Sequence, residues 1–497
     1  MESLRKKLLV GGFWNSFSQF GVQGVNFVIT IVLARLLTPT DFGLVGMVNV
    51  FIAFLGFFSE LGLITTLVSK EKVDELDLNT AFWCGIVFSG VLYALVYRAA
   101  PLISLFYDNP RLVAISRVLF AVFPVRAVGF IITALEYRAL RYNRLAAAHL
   151  SSTIAAGACG IWMAFAGYGV WSLVALFVVK EIVQIALLLV VTQWKPRLRF
   201  SFARTTGIIP FGFQITLNNL MKFASQNADY LLVGKLLGPH ALGIYTLAFR
   251  LSRYALQKLV TIVGRMLFPA FSRIRGDITR TRHNVLKVSL LGLIVLLPFE
   301  IMLLVSGRLI VEVLVGPEWK EAVPILRIFL IYIVFSSFSF GDDPLMIAFG
   351  KVRSLNITKF VATVLLAAGG YIGIRLWGLY GMALAFSIVT GGYVMLIKAQ
   401  VLRLIDIAVY RYIHLLTKYL VSGGVLYCIL VVFHSLLVGR VDGLLLLLLE
   451  GLVCAGALGF YGMVSGLVDV KMRALQPGNG CAQALSTFFD WRNGERT

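Results

Sequence analysis

Basic residues recur at helical spacing in one apolar segment of the chain. Arg250, Arg253, Lys258 and Arg265 fall within a sector of about 140° on a helical projection, with Tyr254 between them. A helix that rises about 1.5 Å per residue would carry them as a ladder about 20 Å long. Guanidinium groups match the paired oxygens of phosphates. The pattern therefore indicates a path for an anion, and Arg250, Arg253 and Lys258 are candidate substrate-binding residues.

Two further apolar segments each carry a stripe of polar side chains. The side chains of each stripe lie close together on a helical projection, within about 100° in the second. A polar face on a membrane-spanning helix must meet a partner helix or water, so the stripes indicate either interhelical hydrogen bonds or a cavity lining. Because the stripe recurs in both halves of the chain, the cavity lining is favoured. The stripes are Asn15, Gln19, Gln23, Asn26 and Thr30, and Asn218, Lys222, Ser225, Gln226 and Asp229.

Other embedded charges add candidates from both halves of the chain. Arg126 lies near the middle of an apolar segment in the first half. Asp229 lies two helical turns from Lys222, so it either neutralises that lysine or binds a coupling cation. The Asp-Asp-Pro run that begins at Asp342 interrupts another segment, and a broken helix around acids is typical of a gate or an ion site. Asp229 and Asp342 are therefore candidate ion-coupling residues.

The composition places these segments in a membrane. Of 497 residues, 59% are hydrophobic and 14% are charged, and the mean hydropathy is +0.87. A soluble globular enzyme of this length would need far more polar surface, and a disordered chain would have far less apolar surface. The net charge of +21 would suggest nucleic acid in a soluble chain. In a membrane protein, topology-setting loops explain most of it, and no nucleic acid partner is predicted.

The sequence predicts an all-α polytopic membrane protein with fourteen transmembrane helices. Alternate loops and the two termini hold 25 of the basic residues, whereas the opposite loops hold eight. This bias predicts that both termini are cytoplasmic, as an even number of spans requires. The other twelve lie within or at the edges of spans, where each costs about 2.5–3.5 kcal/mol if it faces lipid. A water-filled, positively charged interior accounts for them better than a bundle packed without water.

The chain contains an internal repeat. A segment that starts at Gly12 recurs without a gap 200 residues later, so that Pro39 and Gly43 correspond to Pro239 and Gly243. Six spans separate the copies, so both have the same topology and should be related by an axis along the membrane normal, with a cavity between them. The predicted organisation is an N-lobe (1–192), a cytoplasmic linker (193–206), a C-lobe (207–398), helices 13 and 14 (399–467) and a cytoplasmic tail (468–497).

Four motifs carry a family resemblance. They are ARLLTPTDFGLVGM from Ala34, GYGVWSLV from Gly167, KLLGPHALGIYTLAFRL from Lys235 and VLVGPEWKEAVPILRI from Val313. With them the chain resembles the polysaccharide flippases of the multidrug/oligosaccharidyl-lipid/polysaccharide exporter superfamily. Within that superfamily it is most similar to the Wzx-like exporters of O-antigen, capsule and exopolysaccharide precursors. The resemblance extends over spans 1 to 12.

The resemblance implies two six-helix lobes that work by alternating access in the bacterial inner membrane. The implied cargo is an oligosaccharide on undecaprenyl diphosphate, moved from the cytoplasmic to the periplasmic leaflet, with an Na⁺ or H⁺ gradient as driving force. Implied partners are membrane lipids, the polysaccharide polymerase and the chain-length machinery. The family role carried over is a basic cavity lining, which here would comprise Arg126, Lys222, Arg250, Arg253 and Lys258.

Two other functions remain as alternatives. A cation-coupled multidrug exporter of the same superfamily usually has twelve helices and an acid-rich cavity, which suits cationic drugs. A membrane glycosyltransferase or polymerase usually carries a large external loop, and no predicted loop here exceeds about 16 residues. The chain also lacks a phosphate-binding loop for ATP. No catalytic residue, metal site or cofactor is predicted, apart from Na⁺ or H⁺ as a coupling ion.

Overall fold

A computed structural model describes the backbone of residues 21–60, 67, 70, 73–139, 141–192 and 194–474. Some residues within its helices are described by their backbone alone, namely 57–60, 202–222, 224–225, 255, 257–262, 265, 411, 415–416, 418 and 460–474. All regular secondary structure in these ranges is helical. The predicted all-α class is therefore confirmed for the described chain.

Fourteen helices follow one another along the described chain, and several are far longer than one crossing of a membrane requires. A short π-helical turn (Val311–Val315) and a 3₁₀ turn (Pro317–Trp319) follow the ninth helix. The helices are α1 (Gly21–Leu36), α2 (Pro39–Glu60), α3 (Glu75–Tyr107), α4 (Arg111–Phe120), α5 (Val122–Arg138), α6 (Tyr142–Phe165), α7 (Val170–Val191), α8 (Phe202–Arg273), α9 (Ile278–Ile310), α10 (Ala322–Phe338), α11 (Asp342–Ala348), α12 (Val352–Leu404), α13 (Val409–Leu437) and α14 (Gly443–Ala474).

The helices are those of a multi-pass membrane protein. Nine segments in the described residues are long and apolar enough to cross a membrane, or ten if α10 and α11 together form one bent span. The shorter apolar helices Gly21–Leu36 and Gly443–Gly459 are additional to these. The count of fourteen membrane spans stays a prediction.

Two of the long helices fold back on themselves. Helix α8 has non-helical backbone at Gly238, where φ is +84°. Asp229 and Tyr245, on either side of this break, form a hydrogen bond, although a straight helix would hold residues sixteen apart about 24 Å from each other. Helix α12 is broken in the same way at Gly378, where φ is +58°. Each helix is therefore a hairpin, and its two arms are called the first and second arm below.

The predicted interruption at the Asp-Asp-Pro run is confirmed. Helices α10 and α11 meet at 41°, and Gly341 between them has φ +89°. Positive φ is accessible to glycine at little cost, which explains why the chain turns at this residue. The turn places Asp342 and Asp343 in the first turn of α11, beside the wall of an internal cavity.

Close backbone contacts join the two turns that the sequence predicts to be repeats of each other. No space exists for a Cβ atom at Gly43, because the carbonyl of Pro239 fills it, and the carbonyl of Pro39 fills the corresponding space at Gly243. The contact is thus reciprocal between matching positions of the predicted repeat. Around it, the largest buried apolar cluster combines residues of both halves, such as Met47 and Phe329.

Candidate functional site

Two cavities lie inside the helical bundle, and one side chain borders both. Cavity A has a volume of about 370 Å³ and lies between α1, α2, α6, α7 and the second arm of α8. Cavity B has a volume of about 560 Å³ and lies among α8, α10, α11 and α12. Gln23 of α1 lines both cavities. Their volumes fall within the range of about 300–1,000 Å³ that is usual for small-molecule sites.

The polar stripe of α1 lines cavity A. Gln23, Asn26 and Thr30 all contribute to its wall, as the stripe predicted. Further amide and hydroxyl groups come from α2, α6 and α8, namely Asn49, Thr153 and Thr246. Asn15 and Gln19, the first two members of the stripe, lie outside the described residues. The described part of the stripe therefore faces a cavity. This is the alternative that the sequence favoured over interhelical hydrogen bonds.

The charged side chains on the wall of cavity A are both cations. Lys180 comes from α7 and Arg250 from the second arm of α8. Among the residues whose side chains are described, no carboxylate forms an ion pair with either, although the carboxylate of Glu181 interacts electrostatically with Lys180. Unpaired charges inside a membrane protein are costly unless they meet water or a ligand of opposite charge. Cavity A is therefore suited to an anion.

Arg126 lies outside the described walls of both cavities. Its Nη2 atom lies 2.5 Å from Oε1 of Glu181, in an ion pair between α5 and α7. Glu181 directly follows Lys180 in α7, and adjacent residues on a helix point about 100° apart. Glu181 turns to Arg126 and Lys180 lines cavity A, so Lys180 is a candidate that the sequence missed.

Cavity B has a different chemical character from cavity A. Its charged lining residues are Arg253, Lys359 and Asp343, and the carboxylate of Asp343 interacts electrostatically with Lys359. The guanidinium carbon of Arg253 lies 4.7 Å from the ring centre of Phe249 and 5.7 Å from that of Tyr332. Arg253 is thus held against an aromatic wall by cation–π contacts.

The predicted single ladder on α8 is divided between the two cavities. Arg250 lines cavity A and Arg253 lines cavity B, although the two residues are one turn apart. The sector of about 140° that contains the basic residues is wide enough to face both cavities from one helix. The side chains of Lys222 and Lys258, the other predicted members of the lining, lie outside the described residues.

The two acids proposed for ion coupling each have a fixed partner. Asp229 is buried and accepts a hydrogen bond of 2.8 Å from the Tyr245 hydroxyl. Asp342 is also buried, forms an ion pair of 2.8 Å with Lys398 and accepts a hydrogen bond from Ser339. Neither is on the described wall of a cavity, whereas the adjacent Asp343 lines cavity B. Their part in ion coupling stays a prediction.

Lys398 was counted among the 25 basic residues of the alternate loops and termini, and this assignment was wrong. Lys398 lies within α12, and its side chain is only 4% exposed. Besides Asp342, its ammonium group donates to Ser289 and lies 4.8 Å from the ring centre of Tyr412. Its position at the end of an apolar run resembled a loop, but a carboxylate 56 residues earlier in the chain compensates its burial.

One end of cavity A is closed by contacts between the halves of the chain. Trp319 donates its indole N–H to the carbonyl of Ala34, at 2.8 Å, and Ala34 lines the cavity. Arg35 donates to the carbonyls of Val313 and Leu314 in the π-helical turn. These bonds lie next to the reciprocal proline–glycine contact, so the end of α1, the start of α2, the turn between the arms of α8 and the π-helical turn after α9 meet as one closed layer.

Comparison with known sequences identifies the protein family that the chain matches. The model of the family described as "Polysaccharide biosynthesis protein" matches residues 32–324, more than half of the chain. The chain is 25% identical over 393 residues to the lipopolysaccharide biosynthesis protein WzxC of Escherichia coli (strain K12), covering 78% of this chain and 79% of that protein. It is 25% identical to the teichuronic acid biosynthesis protein TuaB of Bacillus subtilis (strain 168), covering 67% and 69%. It is 24% identical to the succinoglycan biosynthesis transport protein ExoT of Rhizobium meliloti (strain 1021), covering 63% of each chain.

Solved structures show the same fold. The lipid II flippase MurJ in an inward closed conformation superimposes with a TM-score of 0.68 at 14% identity, covering 92% of this chain and 99% of that chain. An inward-facing multidrug transporter of the MATE family in the MOP superfamily gives a TM-score of 0.62, also at 14% identity, covering 77% of this chain and 94% of that one. At these identities the likeness concerns the fold alone.

Proposed function

The chain belongs to the polysaccharide biosynthesis protein family, and on this premise we propose that it is a flippase for lipid-linked oligosaccharides. Its cargo is an oligosaccharide repeat unit on undecaprenyl diphosphate, which it moves from the cytoplasmic to the periplasmic leaflet of a bacterial inner membrane. The names of the relatives WzxC, TuaB and ExoT support a polysaccharide precursor as the cargo. In this proposal the protein transports its cargo and makes or breaks no covalent bond in it.

The observation that carries this proposal is the lining of cavity A. Lys180 and Arg250 face a cavity with no acid on its described wall. A diphosphate-linked lipid must bring about two negative charges into the bundle, and buried charges need fixed partners of opposite sign. A cationic drug would instead be repelled by both residues, so the lining favours an anionic cargo over the multidrug alternative.

The proposed architecture has fourteen spans in two repeated lobes, 1–192 and 207–398. The reciprocal contacts of Gly43 with Pro239 and of Gly243 with Pro39 support a pseudo-two-fold axis between the lobes. Helices 13 and 14 (399–467) form an additional pair, and both termini lie in the cytoplasm. In this orientation the closed layer around Arg35 and Trp319 is at the periplasmic end, which supports a state closed to the periplasm.

An ion gradient is the proposed driving force, with Na⁺ or H⁺ as the coupling ion and Asp229 and Asp342 as the coupling residues. Both acids are buried among polar partners that a conformational change could exchange. Replacing both by Asn should weaken the dependence of transport on the ion gradient. Unchanged dependence in a folded double variant would assign both residues a structural role only.

The proposal is tested by following the cargo between leaflets. The full-length protein is reconstituted into proteoliposomes with undecaprenyl-diphosphate-linked oligosaccharide from its own host, and a membrane-impermeant glycosidase reports the glycan exposed outside. We expect the protected glycan to become accessible only when the protein is present. Equal rates in protein-free vesicles, or equal movement of a glycan-linked lipid without a diphosphate, would contradict the proposed function.

A further inference from the structure

The two cavities differ in the kinds of group that a ligand would meet. Cavity A presents Lys180 and Arg250 without a carboxylate on its described wall. Cavity B presents cations together with the carboxylate of Asp343, so it offers hydrogen-bond acceptors as well as donors. A carboxylate on the wall repels phosphate but accepts hydrogen bonds from hydroxyl groups. Phosphate chemistry therefore fits cavity A, and polyhydroxyl chemistry fits cavity B.

Cavity B also contains polar groups that the described residues leave unsatisfied. The hydroxyl of Tyr393 and the Nε–H of Arg253 are buried, and neither has a hydrogen-bond partner in the described part of the chain. Both residues line the cavity, as does Thr390. Leaving buried polar groups unpaired is costly, and a ligand that pairs with them recovers this cost. These two unpaired polar groups therefore favour a ligand with several hydroxyl groups.

One wall of cavity B is aromatic. Phe249, Tyr332 and Phe386 line it, with ring centres 5.1 Å apart for Phe249 and Phe386 and 5.4 Å apart for Tyr332 and Phe386. Arg253 packs over two of these rings and fixes the edge of the wall. Flat aromatic surfaces receive the C–H faces of sugar rings, while neighbouring polar groups bond the hydroxyls. Such a combination of rings and oriented polar groups is typical of selective small-molecule sites.

The cavities adjoin at Gln23, which lines both. In a lipid-linked glycan the diphosphate and the first sugar are likewise directly connected. We propose that cavity B is a saccharide subsite, which binds the first sugar residues of the cargo while Lys180 and Arg250 in cavity A bind its diphosphate. This assignment rests on the proposed function, because it divides the same cargo between the two cavities.

The test compares two carriers that differ only in the sugar. The probes are radiolabelled undecaprenyl diphosphate and the same lipid carrying one glucose or one galactose, and the measurement is equilibrium binding to the full-length protein in nanodiscs. We expect at least one glycosylated carrier to bind the wild type more tightly than the bare carrier. Tyr393→Phe and Asp343→Asn should each weaken that carrier about tenfold and leave the bare carrier unchanged. Unchanged binding of the bare carrier also shows that each variant is folded.

The controls separate this inference from the proposed function. Tyr380→Phe removes the hydroxyl of an exposed tyrosine on the same helix, outside the described wall of cavity B, and should alter neither affinity. Arg250→Gln should weaken both carriers by a similar factor, and if it weakens neither, the proposed diphosphate site fails. The saccharide subsite is overturned if the cavity B variants weaken both carriers equally, if they weaken neither, or if no hexose adds affinity in the wild type.

Discussion

Cavity A and the ion pair behind cavity B place cations inside the bundle in opposite electrostatic surroundings. In the pair, Lys398 is compensated by Asp342 at 2.8 Å, and both side chains are almost completely buried. In cavity A, Lys180 and Arg250 share a described wall without a carboxylate. The role of a charge within a span can therefore be inferred only when its surroundings in the tertiary structure are known. The ion pair of Lys398 with Asp342 joins two helices, whereas Lys180 and Arg250 face a cavity and are our candidates for binding the cargo.

The largest effect on stability is expected when Lys398, the cation paired with Asp342, is replaced. Lys398→Met leaves the buried carboxylate of Asp342 without its counter-ion, which should lower the free energy of unfolding by about 3–5 kcal/mol. The amount of monodisperse protein after detergent extraction and its midpoint of chemical unfolding measure the loss. The double variant Asp342→Leu/Lys398→Met replaces the pair by apolar groups and should recover most of it. A stable single variant would show that the pair is not a structural element.

A second pair of variants tests the reciprocal proline–glycine contact in the closed layer of cavity A. Gly43→Ala and Gly243→Ala each place a methyl group where a proline carbonyl lies, and overpacking of this kind costs about 1–3 kcal/mol. Because the contact is reciprocal, we expect both variants to loosen the closed layer to a similar extent. In a cysteine-free background, a cysteine at Thr246 in cavity A should then react faster with an impermeant thiol reagent added outside.

The matched control for these variants is Gly90→Ala, because a Cβ atom at Gly90 meets open space. It should leave the labelling rate at position 246 unchanged. A strong effect of one glycine variant without the other would contradict the proposed equivalence of the two repeated turns. No effect of either would mean that the layer is not a barrier to reagents.

A smaller effect, on transport, is expected at Arg126, which is paired with a carboxylate but is less buried than Lys398. Its ion pair with Glu181 joins α5 to α7, outside the described walls of both cavities, so we expect it to support the packing of these helices without contacting the cargo. Arg126→Gln should therefore slow transport in proteoliposomes by less than about fivefold. A loss as large as that of Arg250→Gln would restore Arg126 to the cargo path, as the sequence alone predicted.

Much of this arrangement follows from periodicity in the sequence. The face that contains Gln23, Asn26 and Thr30 was predictable, because polar groups at helical spacing in an apolar segment must face water or a partner helix. The break before Asp342 was predictable because an Asp-Asp-Pro run interrupts an apolar segment there. Both features depend on neighbours within a few turns of the same chain segment.

The partners of the embedded charges could not be predicted from the sequence. Glu181 lies 55 residues from Arg126, and Asp342 lies 56 residues from Lys398. Hydropathy does not distinguish a lysine at a helix end from one that turns inward to a distant carboxylate. For the same reason Lys180 was not selected, since only the tertiary structure shows which of two adjacent charges faces a cavity.

Lys180 and Arg250 of cavity A should bind the diphosphate of the cargo, and transport kinetics can test this role. The measurement is the initial transport rate of the lipid-linked oligosaccharide in proteoliposomes, for Lys180→Gln, Arg250→Gln and the exposed turn variant Arg275→Gln at equal amounts of inserted protein. Losing one charge-assisted contact costs about 1.5–3 kcal/mol, so the two cavity variants should transport roughly ten- to a hundredfold more slowly. Arg275→Gln should transport like the wild type. Equal, small effects at all three positions would contradict the assignment of the diphosphate to cavity A.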